Sequence, residues 1–87
     1  MAYEVRLKPS VVRTLKKLPA QIRARIGSRL DAFAGNPRPP GCEKLGGVED
    51  LYRVRVGDYR IVYRVSDEFL LVLVVTIGHR GDVYRRL

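Results

Sequence analysis

The hydrophobic positions of this chain change period several times, and each change predicts an element. Tyr3–Leu7 alternates weakly with period two and reads as a short strand. Pro9-Ser10 opens a helix, since proline suits a first turn and serine a cap. Val11, Val12, Leu15 and Leu18 follow at helical spacing. Pro19 ends that helix or starts the next. Ile22, Ile26, Leu30 and Phe33 form a second apolar stripe, with Arg23, Arg25 and Arg29 covering much of the remaining surface. The two helices should make an αα-hairpin. The segment from Gly35 to Gly47 holds three prolines and four glycines and reads as loop.

Period two then returns in Leu51–Val65, LYRVRVGDYRIVYRV, around the two-residue turn Gly57-Asp58. Such a turn pairs Val56 with Tyr59 and Arg55 with Arg60. Arg53, Arg55, Arg60, Val62 and Arg64 fall on one face, and Tyr52, Val54, Val56, Tyr59, Ile61, Tyr63 and Val65 on the other. Ser66-Asp67-Glu68 reads as a polar turn. Phe69–Ile77 is apolar at both parities and predicts a central strand covered on both faces, ended by Gly78. His79–Leu87 reads as a short basic tail or helix.

These elements predict one α+β domain over residues 1–87, in the order β-α-α-β-β-β-tail. The last three strands should form an antiparallel meander. The helical hairpin should pack on the tyrosine–valine face, burying Tyr52, Val54, Ile61 and Tyr63 and leaving the arginine face open.

Like charges directly opposed across a ladder destabilise it by up to about 1 kcal/mol. Four arginines on one small face are explained by a polyanion rather than by stability. Charge agrees: the chain carries a net +8, and thirteen of its seventeen cations are arginine, whose planar fork of donors matches phosphate. Nucleic acid is the leading partner class, and an acidic protein partner suits the same surface. A membrane partner is disfavoured, because no helix shows a strongly amphipathic basic face and the longest apolar run is too short to span a bilayer. MAYEVRLKPS lacks the apolar stretch of a signal peptide, and the single cysteine, Cys42, excludes a disulfide framework. A cytoplasmic protein is expected.

Other features take plainer readings. Cys42 is an ordinary thiol in a Pro/Gly loop. Pro37-Arg38-Pro39-Pro40 is a rigid loop rather than a docking motif. Arg85 and Arg86 read as a solvated basic end. One histidine and one cysteine cannot build a structural zinc site, and no metal or other cofactor is expected.

The order of elements, the hairpin with its DYRIVY strand, and the ending VTIGHR…VYRRL together resemble the RelE branch of the RelE/ParE toxin superfamily. The likeness covers nearly the whole chain. It implies a RelE-like fold and the toxin of a type II toxin–antitoxin system: a ribonuclease that enters the ribosomal A site and cuts messenger RNA. A RelB-like cognate antitoxin would hold it inactive in a hetero-oligomer. Carried over by motif, the resemblance implies catalytic roles for Arg55, Arg60, Arg80 and Tyr84, and RNA contacts for Arg53, Arg64 and His79. The two lysines of the family's Y-K-x-K strand fall on Arg53 and Arg55. Guanidinium deprotonates only above about pH 12, so Arg55 is a poor replacement for a lysine base, and the nucleophile is activated by orientation and electrostatics or loses its proton by another route. The implied reaction is metal-independent attack of the ribose 2′-hydroxyl on the adjacent phosphate, leaving a 2′,3′-cyclic phosphate and a free 5′-hydroxyl. His79 suits a structural or phosphate-contacting role as well as acid–base work. Tyr84 suits either base stacking or packing of the tail. Two further functions fit the same fold: a ParE-like poison of DNA gyrase, and a non-catalytic RNA- or ribosome-binding module.

Overall fold

The computed structural model describes residues 2–45 and 50–79. Five strands and two helices follow in the order β1 (Glu4–Leu7), α1 (Pro9–Lys17), α2 (Ala20–Ala32), β2 (Glu43–Lys44), β3 (Leu51–Val56), β4 (Tyr59–Ser66) and β5 (Leu71–His79). The sheet order is β1-β5-β4-β3-β2. β3, β4 and β5 form the expected antiparallel meander, while β1 lies parallel to β5, with Glu4 opposite Leu71.

Helix α1 begins at Pro9 with Lys8 as its cap residue, and Lys8 makes no side-chain cap. Ser10 is therefore not the cap: it lies inside the first turn, where its carbonyl accepts a hydrogen bond from Thr14 Oγ1 at 3.0 Å. The helix closes with Lys16 and Lys17 in its last turn, where cations complement the carbonyl end. Pro19 is the cap residue of α2. The apolar stripe of α2 is buried at Ile26, Leu30 and Phe33.

The helices cover the tyrosine–valine face of the sheet as the alternation requires. Val54, Val56, Ile61, Tyr63 and Val65 join Val11, Ile26, Leu30 and Phe33 in one core, with Tyr52 half-buried at its margin. The Phe33 and Tyr63 rings approach to 4.3 Å between centroids, and Tyr52 stacks on Tyr63 at 5.9 Å. The buried Tyr63 hydroxyl donates to the Pro37 carbonyl at 2.8 Å, which ties the proline-rich loop to the core.

Three expectations change. First, the proline-rich segment contains β2, whose two residues pair antiparallel with Tyr52 and Arg53. Secondly, the arginine face is not uniformly open. Leu51 and Val62 are buried there in a second apolar cluster with Leu45 and Val75. Thirdly, the last strand starts at Leu71, leaving Phe69 73% exposed and Leu70 at φ 50° in the preceding turn. That strand lies between β1 and β4, but only one of its faces is fully buried: Val72, Val74 and Ile77 sit in the core, whereas Leu71, Leu73 and Val75 are half-buried. A bulge explains the change of parity, for Val62 opposes Thr76 while Tyr63 opposes Val74, leaving Val75 as the extra residue. Among the described residues no helix is long and apolar enough to cross a membrane.

Candidate functional site

The β3–β4 hairpin sets the geometry. Gly57 has φ 59°, the left-handed conformation its two-residue turn requires. The resulting register makes Arg55 the direct partner of Arg60 and Arg53 the partner of Val62. Arg53, Arg55 and Arg60 form the floor of a groove of about 380 Å³. Arg29 of α2, Pro40 and Gly41 of the loop, and Glu43 of β2 complete its walls.

Among the described residues four guanidinium groups thus meet one carboxylate. Arg53 Nη2 donates to Glu43 Oε2 at 2.6 Å. That hydrogen bond, reinforced by the charges of Arg53, Arg55 and Arg60, holds the Glu43 carboxyl below its ordinary range. Among the described residues Arg55 and Arg60 have no ion-pair partner within 4 Å. Converging cations left unpaired form an anion site: a bound phosphate relieves their mutual repulsion, and a developing negative charge is stabilised without reorganisation.

The loop that supplies Pro40 and Gly41 and leads into Glu43 of β2 is pinned by a polar network. Arg38 makes two bonds to Asp67, Nη1 to Oδ1 at 3.0 Å and Nη2 to Oδ2 at 2.9 Å. Its Nε donates to the Tyr52 hydroxyl at 3.0 Å, and its guanidinium lies 5.1 Å from the centre of that ring. Tyr3 donates to Asp67 Oδ1 at 2.6 Å. The hydrogen bond from Arg38, then that from Tyr3, lower the Asp67 pKa. The same contact with Asp67 raises that of Tyr3.

Of the residues singled out from the sequence, Arg53, Arg55 and Arg60 come together in the groove. Arg64 shares their face but pairs with Leu51 and Leu73, beyond the Leu51–Val62 cluster and away from the groove. His79 does not join the arginines. It pairs with Tyr59, touches that ring edge-on at 5.4 Å, and lines a separate groove with Arg13, Thr14 and Lys17 of α1. Arg80 and Tyr84 lie outside the described residues. Sequence reasoning missed Glu43 and Arg29. Glu43 sits in a strand too short to show a period, and Arg29 reads as one of several solvated helix cations. No group of three or more metal-ligating side chains occurs among the described residues.

Comparison with known proteins adds a lineage to this geometry. The model of the family described as "ParE toxin of type II toxin-antitoxin system, parDE" matches residues 5–84. Toxin RelG of Mycobacterium tuberculosis is 35% identical, over 99% of this chain and 100% of its own length. The mRNA interferase toxin RelE of Escherichia coli is 31% identical, over 97% of this chain and 92% of its own. Among solved structures, the archaeal RelE–RelB complex of Pyrococcus horikoshii contains a chain that superposes with a TM-score of 0.84 at 32% identity, covering 93% of this chain and 98% of that one.

Proposed function

This chain belongs to the RelE/ParE toxin superfamily, and from that premise we propose that it cleaves messenger RNA in the ribosomal A site and so stops translation. It is the toxin of a type II toxin–antitoxin pair, and its RelE relatives include an mRNA interferase. The observation that carries the reading is the groove in which Arg55 and Arg60, without an ion-pair partner among the described residues, face each other beside Arg53 and Glu43.

The reaction needs a phosphate held in line with a 2′-hydroxyl. Arg55 and Arg60 bind the scissile phosphate and stabilise the extra charge of the phosphorane-like transition state. Glu43, the carboxylate of the groove, takes the 2′-hydroxyl proton while Arg53 orients it. The 2′ oxygen bonds to phosphorus, the bond to the 5′ oxygen breaks, and that oxygen takes a proton from solvent. A 2′,3′-cyclic phosphate and a 5′-hydroxyl remain. The guanidinium groups supply the positive charge, so the reaction is metal-independent. Arg80 stabilises the leaving oxygen and Tyr84 stacks on or orients a neighbouring base. Arg64 and His79 are left as peripheral RNA contacts.

The ribosome supplies the orientation that this small groove lacks. Such a toxin works in the cytoplasm as one domain. Its inhibitor is a RelB-like antitoxin, the partner seen in the archaeal RelE–RelB complex. A net charge of +8 favours an acidic partner and makes its binding partly salt-sensitive.

One observation favours a second reading: the matching family model is named for ParE, which suggests a gyrase poison on the same fold. Primer extension on messenger RNA in a translating extract, beside a gyrase supercoiling assay, separates the two. Cuts within A-site codons with normal supercoiling are expected. Intact messenger with blocked supercoiling would establish the gyrase reading. Intact messenger, normal supercoiling and retained ribosome binding would leave a non-catalytic module.

A further inference from the structure

We infer that the RNA strand does not end at the groove but continues over the open edge of β3 onto helix α2, where Arg29 and then Arg25 hold the next phosphates. The inference extends the ribonuclease reading, and it starts from the edge itself. β2 pairs only with Tyr52 and Arg53, so Val54–Val56 have no strand neighbour on that side among the described residues. Arg29 stands at this gap and forms one wall of the arginine groove. Arg25 lies one turn earlier on α2, against the hairpin turn; a methyl group on Gly57 would sit 3.5 Å from its Nη1.

Both arginines are exposed, and among the described residues neither has an ion-pair partner. Their separation of four residues places them on one side of α2, about 6 Å apart along its axis. Ile26 and Leu30, the residues that follow each of them, are buried and fix that side of the helix relative to the sheet. The cations of the sheet and the helix therefore form a bent, continuous band: Arg53, Arg55 and Arg60 on the sheet face, Arg29 at the edge, Arg25 beside the turn. A flexible single strand can follow such a bend, whereas a stiff duplex cannot. The strand recognised is single-stranded RNA, held by its backbone and without regard to base.

Binding of the whole protein to a fluorescent oligoribonucleotide of twelve nucleotides, followed by anisotropy across a range of salt, tests this without requiring cleavage. Each backbone contact on a single strand contributes about 0.7 to the slope of log K against log salt. Arg29→Ala and Arg25→Ala should each lower that slope by about 0.7 and weaken binding several-fold at low salt. Arg23→Ala, on the opposite side of α2, should leave both unchanged. Equal losses for Arg23→Ala and Arg29→Ala would mean diffuse attraction and would overturn the track, as would a wild-type slope for the Arg25→Ala/Arg29→Ala double variant. Failure of the ribonuclease reading would appear separately, as intact messenger in the primer-extension assay.

Discussion

Arg55 and Arg60 occupy directly opposed positions on adjacent strands, and neither is neutralised by an ion pair among the described residues. A hairpin selected for stability alone would not keep that pair. Removing either member should separate folding from function. Arg60→Ala and Arg55→Ala should leave stability unchanged or raise it by up to about 1 kcal/mol, since they relieve a like-charge cross-strand contact. Single-turnover cleavage on programmed ribosomes should fall by about 10²–10³. A destabilised variant with normal cleavage would reverse both assignments.

Glu43 offers a sharper test. If it accepts the 2′-hydroxyl proton, Glu43→Gln should lower the maximal rate by roughly 10²–10⁴ with little change in RNA affinity. Because Arg53 and its neighbours hold this carboxyl below its ordinary value of 4.5, it is ionised throughout the neutral range. The wild-type rate should lose its Glu43-dependent part only as pH falls below that value. A Glu43→Gln enzyme with full rate and weakened RNA binding would reduce Glu43 to an anchor for Arg53.

The network around Asp67 predicts an acid sensitivity with a definite sign. Its folded-state pKa is depressed by Arg38 and Tyr3, so the stabilisation is present above the ordinary value of 3.8 and is lost as pH falls through the lower, folded value. Thermal melts should therefore show a steeper fall in Tm below about pH 4 for the wild type than for Asp67→Asn. At neutral pH Asp67→Asn should also raise the half-saturating concentration for cleavage, because Arg38 would no longer anchor the loop wall at Pro40–Glu43. Identical acid melting of the two proteins would remove the network from the stability of the loop.

In the tail, Arg80→Ala should nearly abolish cleavage in a protein that still folds and binds antitoxin. Tyr84→Phe should be mild if the ring only stacks and severe if its hydroxyl moves a proton. Single-turnover rates for the two variants decide both roles, and a wild-type rate for Arg80→Ala would take Arg80 out of the site.

The sequence reveals what depends on parity and hides what depends on neighbours. Alternation in Leu51–Val65 specifies the hairpin register, because a slip by one residue would bury Arg55 and expose Ile61. It cannot show that Val62, on the arginine face, finds Leu51, Leu45 and Val75 and is fully buried. Those contacts come from a bulge and from a loop distant in sequence. β2 is two residues long, below the length at which any period is visible, and the alternation gives no sign of Glu43. Gly78 reads as the end of the last strand, yet β5 runs on through His79, one residue past the partner of Arg60. Alternation turns His79 to the other face, beside Tyr59.

The parallel pairing of β1 with β5 also has a consequence in time. Glu4 meets Leu71 across most of the chain, and parallel pairing of such distant segments is slow to form. At about 5–20 residues per second, a ribosome making this protein needs roughly 3–13 seconds after β1 is synthesised before its partner strand even exists. During that interval the N-terminal strand has no place in the sheet, and the arginine hairpin has no neighbour on its β5 side. The sheet that carries the arginine groove is therefore completed only when nearly the whole chain has been made.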